Sequence, residues 1–222
     1  MPLKTMSKIK KFFLALLFPQ RCAVCGRVSE SESELCCRDC FEKLPFDKLQ
    51  RAAPVNFCRA IFTPLLYSGL ARKAILRYKF RGKKASALFF AQLMARCFCE
   101  HCTMSADAVT WIPVSKARLK ERGYDQAQLL ARHVAEILGL PLICALTKVK
   151  DNPAQSGVRT RNAKAENVKG VYEPAEGVNL DGLTVLLVDD ILTTGSTMAE
   201  AARTLMKASA EDIIGLCAAR TV

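Results

Sequence analysis

One stretch of the sequence, residues 185–197 (VLLVDDILTTGST), constrains the fold more than any other. It begins with four apolar residues, all Val or Leu, which predict a strand buried on both faces, as in a parallel sheet. Two carboxylates, Asp189 and Asp190, end the apolar run, and a polar loop around Gly195 leads into a predicted helix over residues 198–207. This order is typical of a ligand site at the carboxyl edge of an open α/β sheet.

The polar loop has the groups that bind a phosphate. Hydroxyl and backbone N–H groups gather there at the start of a helix, where a monophosphate is stabilised, and Gly195 lets the backbone come close to it. The two aspartates cannot also bind the phosphate, because carboxylates and phosphate are both negatively charged and repel each other. They require hydroxyl groups or a cation instead. A ribose 5-phosphate meets both demands, whereas an ordinary buried strand with a capped helix leaves the adjacent aspartates unexplained. The predicted phosphate ligands are Thr193, Thr194, Gly195, Ser196 and Thr197.

A group of cations follows a second predicted strand, residues 108–114 (AVTWIPV). The carboxyl ends of parallel strands meet at one sheet edge, so the following loop is expected beside the aspartates. One Arg guanidinium can bind two phosphate oxygens at once, so this loop is predicted to bind pyrophosphate. The alternative is that these residues are the solvated start of a basic helix. The residues assigned to this role are Ser115, Lys116, Arg118 and Arg122.

Residues 151–169 (DNPAQSGVRTRNAKAENVK) form a polar segment without apolar periodicity. A connection of this length is either disordered or a functional lid. Arg159, Arg161 and Lys164 favour a lid over a charged substrate.

Two CxxC pairs lie close together in the first part of the chain. Their spacing predicts a closed, tetrahedral four-thiolate zinc site, which is structural rather than catalytic. A redox CxxC would come singly, beside a βαβ pattern. The sequence therefore predicts two units, a helix with a zinc module over residues 1–50 and the sheet domain over residues 51–222. The predicted zinc ligands are Cys22, Cys25, Cys37 and Cys40.

The net charge of +12 favours a polyanionic partner, whether a phosphorylated substrate, nucleic acid or an acidic membrane surface. Residues 8–18 (KIKKFFLALLF) are too few to span a bilayer, which takes about 20 apolar residues, and no signal cleavage site follows them. We interpret them as an amphipathic helix packed on its own protein, with a membrane-surface helix as the alternative. The chain is expected to be cytoplasmic and without a transmembrane segment. In that reducing compartment its eleven cysteines are not expected to form disulfides.

Further patterns predict the elements around the two sites. Pro64 interrupts an apolar strand and predicts a place for it at a sheet edge. The other predicted elements are helices over residues 70–80, 85–102 and 126–138 and strands over residues 60–67 and 212–219.

Taken together, these motifs resemble the ComF family, competence-associated relatives of the type I phosphoribosyltransferases. The resemblance covers nearly the whole chain: CAVCG and CRDC, YSGLARKAILRYKFRG, IPVS with RLKERGYDQAQLLA, QSGVRTRNAKAENVKGVY, VLLVDDILTTGSTM and a final AAR. It implies an α/β fold of the type I phosphoribosyltransferase kind, an open, mostly parallel sheet flanked by helices. A small N-terminal four-cysteine zinc module would precede that domain.

The resemblance also implies binding of 5-phosphoribosyl 1-pyrophosphate (PRPP) and Mg²⁺ and a link to DNA uptake. A reaction would displace pyrophosphate from the ribose by a nitrogen acceptor that the sequence does not identify, with Mg²⁺ neutralising the leaving group. Purine-salvage relatives have an aspartate, proposed as acid/base, where this chain has Thr193, so no catalytic residue is assigned. Tyr124 and Asp125 replace the Phe-Asn usual in the family, and Lys164 replaces an Arg.

Two non-catalytic readings stay open beside the transferase. One is a factor that handles single-stranded DNA together with the competence machinery, which the charge and the zinc module favour. Against it, only 7% of the residues are aromatic, and single-strand binders stack bases on aromatic rings. The other is a PRPP sensor without turnover, which the absence of a general base favours.

Overall fold

The computed structural model of the chain describes residues 20–29, 35–80, 86–150 and 169–222. Its helices are α1 (Arg38–Glu42), α2 (Gly69–Phe80), α3 (Ser86–His101), α4 (Lys116–Arg122), α5 (Gln126–Leu138) and α6 (Ser196–Lys207). Its strands are β1 (Ala60–Phe62), β2 (Leu65–Leu66), β3 (Ala108–Trp111), β4 (Leu146–Lys148), β5 (Tyr172–Pro174), β6 (Thr184–Leu192) and β7 (Asp212–Arg220).

The main sheet has the order β1–β7–β6–β3, and β2 extends the line of β1 along β7. Every pairing in it is parallel. Along β6, Leu186 and Val188 belong to one apolar core, which includes α2, α3 and α5, while Val185 and Leu187 belong to the other, which includes α6. A strand buried on both faces between helical layers confirms the predicted open α/β architecture.

The β1–β2 edge of the sheet is covered by the chain that leads out of the zinc module. Pro64 separates the two short strands, as the sequence predicted for an edge position. Antiparallel bridges join Phe46 to Leu65 and Arg51 to Phe62. The segment between the two predicted units therefore packs as a cover over an otherwise open strand edge.

Two predicted strand ends are wrong. β6 does not end at the aspartates but continues to Leu192, because Ile191 and Leu192 are again apolar and keep their pairing with β7. β3 ends earlier than predicted, at Trp111. Pro113 has no N–H group to continue the pairing with β6.

An antiparallel hairpin of β4 and β5, which the sequence analysis did not predict, lies outside the main sheet. The pairing continues beyond β4, where the Val149 N–H donates to the Val171 carbonyl at 2.9 Å. This hairpin brings together the two ends of the segment predicted as a lid. The helix predicted over residues 8–18 lies outside the described residues, and among those described no helix is both long and apolar enough to cross a membrane.

Candidate functional site

Both predicted anion-binding segments leave the sheet at the same edge. β3 and β6 are parallel neighbours in a register that sets Trp111 beside Val188. The Ile112 N–H still donates to the Val188 carbonyl at 3.0 Å. The chain that leads into α4 therefore starts next to Asp189, as the sequence predicted from the meeting of parallel strand ends.

The two aspartates leave β6 toward opposite faces of the sheet, as neighbours on a strand do. Asp190 lies on the α2 side, where the Lys79 Nζ is 2.8 Å from its Oδ1, and its side chain is only 12% exposed. If the strand ended at the aspartates, as predicted, both carboxylates would face solvent. Asp190 does not, because the strand continues past it. The continuing strand keeps this carboxylate inside, where a buried charge requires a partner.

Asp189 is only partly exposed and has no such partner among the described residues. Its pKa is raised to about 8, chiefly by burial and next by the neighbouring Asp190, while Lys79 acts in the opposite direction. Asp125, the N-terminal cap of α5, adds a third carboxylate that raises the Asp189 pKa, and burial raises its own pKa. The sheet edge thus concentrates negative charge in a place with little water, a setting in which hydroxyl donors or a cation bind well.

The predicted phosphate loop connects β6 to α6. Gly195 caps α6 with a φ of 79°, the left-handed conformation that glycine adopts without strain. The hydroxyls of Thr194 and Ser196 lie 3.0 Å apart, and the Thr221 N–H donates to the Leu192 carbonyl at 2.9 Å. First-turn N–H groups of a helix have no partner inside it, so the start of α6 offers donors beside two hydroxyls.

Gly195 has a second role that the sequence analysis missed. A Cβ atom at this position would lie 2.7 Å from Cγ2 of Val55, in the segment that follows the zinc module. Close approach of the protein's own chain therefore requires glycine here, in addition to the predicted approach of a phosphate.

The basic segment after β3 is a short helix, α4, and not the predicted loop. Ser115 is buried and caps this helix by accepting from the Arg118 N–H at 3.2 Å. Arg118 is exposed, whereas Arg122 donates to the Gln126 Oε1 at 2.6 Å and lies over the Phe80 ring at 4.8 Å. Lys116 and Arg118 thus keep their charges toward solvent, while Arg122 is engaged within the protein.

The residues assigned to the lid, Arg159, Arg161 and Lys164, lie outside the described residues. The segment rejoins the described chain just before β5, where the Gly170 N–H donates to the Glu200 Oε1 of α6 at 2.6 Å. Glu200 also pairs with Arg203 and is 6% exposed. This anchor ties the end of the predicted lid to the helix that begins at the phosphate loop.

Two further residues at this edge were missed from the sequence. Nothing in the periodicity of α2 separates Lys79 from the other basic residues of this helix, so the sequence does not mark it as a site residue. Tyr172 is buried on β5 near the aspartates: burial raises its pKa, Asp189 raises it further, and Arg118 lowers it. Its position depends on the unpredicted hairpin, so no sequence signal marked it.

The four predicted zinc ligands come together at one point in the module before the sheet. Their sulfur atoms all lie within 4.8 Å of one another, and those of Cys25 and Cys37 are 3.9 Å apart. A tetrahedral site with Zn–S bonds of about 2.3 Å separates its sulfurs by roughly 3.8 Å. The geometry therefore fits Zn²⁺ with little rearrangement. The ligand set is Cys22, Cys25, Cys37 and Cys40.

Backbone donors support thiolates in this cluster. The N–H groups of Cys25 and Cys37 each point to the Cys22 sulfur at 3.4 Å. Burial raises the pKa of Cys22, but these donors outweigh it and lower the pKa to about 6. Cys36, left out of the predicted set because of its spacing, lies 4.0 Å from the Cys22 sulfur, and burial raises its pKa.

Two family models match the chain, a phosphoribosyl transferase domain over residues 125–220 and a double zinc ribbon domain over residues 13–69. The first covers the aspartates and the phosphate loop, and the second covers the four clustered cysteines. The matches confirm the predicted fold class and, with the cysteine geometry, support a structural zinc.

Proteins with names from DNA uptake and DNA use are similar over most of the chain. Competence protein ComFC of Bacillus subtilis is 26% identical over 186 residues, which are 84% of this chain and 71% of that one. DNA utilization protein YhgH of Salmonella typhimurium is 28% identical over 221 residues, 90% of each chain. Among solved structures, the glutamine phosphoribosylpyrophosphate amidotransferase of B. subtilis is 21% identical, with a TM-score of 0.37, over 67% of this chain and 28% of that longer one. The two relatives named for DNA uptake and DNA use, together with the two family models, confirm the resemblance drawn from the motifs.

Proposed function

We propose that this chain, a ComF-type protein with a phosphoribosyl transferase domain and a zinc ribbon, binds PRPP at the carboxyl edge of its sheet and transfers the phosphoribosyl group to a nitrogen acceptor. The ribose diol would bind at Asp189 and Asp190, and the 5-phosphate at the loop before α6. The pyrophosphate would lie toward α4. The reaction breaks the bond between the anomeric carbon and pyrophosphate and forms one to the acceptor nitrogen, which then loses a proton to water or to the departing pyrophosphate.

One observation carries this proposal. A pair of carboxylates and a helix start with two hydroxyls lie within the eight residues 189–196 and share one sheet edge with a basic helix. Carboxylates accept hydrogen bonds from the diol, helix N–H groups stabilise the phosphate, and Arg118 supplies positive charge for the remaining phosphates. No single one of these groups accounts for a ligand with both a diol and several phosphates, but the set does.

The same edge suits Mg²⁺. Asp189, Asp190 and the nearby Asp125 provide the oxygen ligands that this ion prefers. Burial first, and then repulsion by the other carboxylates, raises the pKa of Asp189, and both effects favour a bound cation. Asp189 would hold the ion together with the ligand's oxygens, since Lys79 already neutralises Asp190. When bound, Mg²⁺ would neutralise the charge that develops on the departing pyrophosphate.

No described residue takes the place of the acid/base that the sequence lacks. Thr193 stands exposed at that position of the loop and cannot accept a proton at neutral pH. We therefore assign to this chain the binding and orientation of the sugar phosphate, and expect the acceptor to bring a nitrogen that is nucleophilic without deprotonation.

The zinc ribbon completes the proposal as a structural element. A closed four-thiolate site leaves no open position for a reaction. Its metal would hold the module to the sheet domain, to which it is already joined by the Ser86 hydroxyl bonded to the Ala23 carbonyl at 3.4 Å. We also place the protein in the cytoplasm, because a cysteine-rich chain with a zinc site suits a reducing compartment.

Titration calorimetry of the Asp189→Asn variant with PRPP and Mg²⁺ tests the site. Loss of a hydrogen bond to a charged group costs about 1.5–3 kcal/mol, so the affinity should fall at least about tenfold. Asp189 is a better target than Asp190, whose removal would leave Lys79 without its anion. Asp212→Asn, at the opposite end of the sheet on β7, is the matched control. Unchanged affinity in Asp189→Asn would refute the diol assignment.

A second candidate function, handling of single-stranded DNA, is favoured by the net charge of +12 and by the names of the relatives. Binding through phosphates weakens steeply with salt, so the affinity for a single-stranded oligonucleotide measured between about 50 and 200 mM salt tests it. No binding at the low-salt end would exclude this function. PRPP binding without turnover in the presence of nitrogen acceptors would instead leave a PRPP sensor.

A further inference from the structure

We infer that Lys79 is a positioning residue of the proposed PRPP site. Its ammonium group holds the Asp190 carboxylate in place, with one oxygen engaged and the other left to accept from the ribose diol. The inference rests on the proposed function and adds to it a residue outside every motif assigned to ligand binding.

The ion pair has the geometry that this role requires. The Lys79 Nζ lies 2.8 Å from the Asp190 Oδ1, and the two side chains are 16% and 12% exposed. No hydrogen bond within the described chain involves the other carboxylate oxygen, Oδ2, and this oxygen is not one of the fully buried polar atoms left without a partner. One oxygen is thus engaged by the lysine, while the other is left to accept a hydrogen bond.

The helix that carries Lys79 does not need this ion pair to stay in place. The Tyr78 hydroxyl donates to the Gln126 carbonyl at 2.8 Å, and the Tyr124 hydroxyl donates back to the Tyr78 carbonyl. These bonds fix the last turn of α2 to the start of α5, one residue before Lys79. Since a buried ion pair contributes little net stability, stability alone does not explain why a lysine is held there.

The negative charges around Asp190 explain better why a lysine is held at this position. Asp189 is its neighbour on β6, and Asp125 faces both from the start of α5 and raises the Asp189 pKa. Among the described ion pairs, only that of Lys79 includes a member of this trio. Without the ammonium group the Asp190 carboxylate would be repelled by the other two and paired with no other side chain of the described residues. Its acceptor oxygen would then no longer have a fixed direction.

Calorimetry with PRPP and Mg²⁺ on a set of variants tests this inference. Lys79→Met should weaken binding at least about tenfold, the loss expected for one hydrogen bond to a charged group. Lys73→Met, which removes a lysine from the exposed face of the same helix, should bind like the wild type. Lys79→Arg, which restores the cation, should recover most of the affinity. A purely structural role for the methylene chain would instead leave Lys79→Met, which keeps an apolar chain, close to the wild type.

A double variant shows whether Lys79 acts through Asp190. If it does, Lys79→Met should add little to the loss already caused by Asp190→Asn, because the two residues form one unit. Additive losses, or equal affinities in Lys79→Met and Lys73→Met, would overturn the inference. Should Lys79→Met fail to fold, Lys79→Gln takes its place with the same expectations. Failure of the wild type to bind PRPP would refute the proposed function itself.

Discussion

The ion pair between Asp47 and Arg220 fixes the segment after the zinc module to the last strand of the sheet. Asp47 is 2% exposed and Arg220 is 18% exposed. The Arg220 Nη2 donates to Oδ1 at 3.0 Å, and the Thr63 hydroxyl donates to Oδ2 at 3.0 Å. Asp47→Ala would leave these donors without an acceptor. Breaking a buried pair in this way costs about 3–5 kcal/mol, which lowers the melting temperature of a chain of this size by roughly 6–20 °C.

Thermal unfolding followed by circular dichroism measures this effect, with Glu100→Gln as the matched control. Glu100 pairs with Arg96 on the surface of α3, where the two side chains are 46% and 68% exposed. Such a pair contributes at most about 0.5 kcal/mol. Equal melting temperatures for Asp47→Ala and Glu100→Gln would show that the buried pair does not hold the module to the sheet, and the reasoning would have to be dropped.

The pH dependence of this stability has a definite sign. Burial raises the pKa of Asp47, but the Arg220 and Thr63 side chains and the Leu49 N–H outweigh it, so the folded pKa lies below its usual value. Stability from such a group is complete above the unfolded pKa of about 4 and is lost as the pH falls through the folded pKa. The difference in melting temperature between the wild type and Asp47→Ala should therefore shrink between roughly pH 5 and pH 3.

Three further predictions concern the two sites. Metal analysis of protein purified without chelator should find one Zn²⁺ per chain, and Cys25→Ser should loosen the module but leave the main sheet folded; protein without zinc would contradict this. Gly195→Ala should lower both stability and PRPP affinity in parallel assays, because of the left-handed backbone and the contact with Val55; wild-type behaviour would mean that the loop rearranges freely. PRPP with Mg²⁺ should protect residues 155–164 from proteolysis much better than ribose 5-phosphate does, and Arg118→Ala should remove that difference; equal protection would mean that α4 does not bind pyrophosphate.

Arg118 is a better target than Arg122 for that last test because of what each side chain contacts. The sequence presents both as cations after a strand and gives no basis for choosing between them. In the folded chain Arg122 is held by Gln126 and Phe80, so Arg122→Ala would disturb packing as well as any ligand. Contacts between side chains on different elements are decided by tertiary packing, which the periodicity of one segment does not contain.

Local patterns were sufficient where the chemistry itself is local. The CxxC spacing predicted a cluster that the fold brings together, and the apolar run of β6 predicted its burial on both faces. The end of β6 was not predictable in the same way, because pairing with β7 carries the strand past the aspartates. The burial of Asp190 and its pairing with Lys79 follow from that continuation, and the sequence analysis missed both.

The position of β7 between β1 and β6 also determines when the sheet can form on the ribosome. Ala60 in β1 is paired with Ile214, so the early strand has no partner strand of the main sheet until Ile214 has left the ribosome. Contacts this distant in sequence slow folding and leave apolar strands exposed meanwhile. The cysteine cluster is complete long before that point. Metal capture can therefore precede formation of the sheet during synthesis, and the nascent chain is expected to need protection mainly over the interval between the two events.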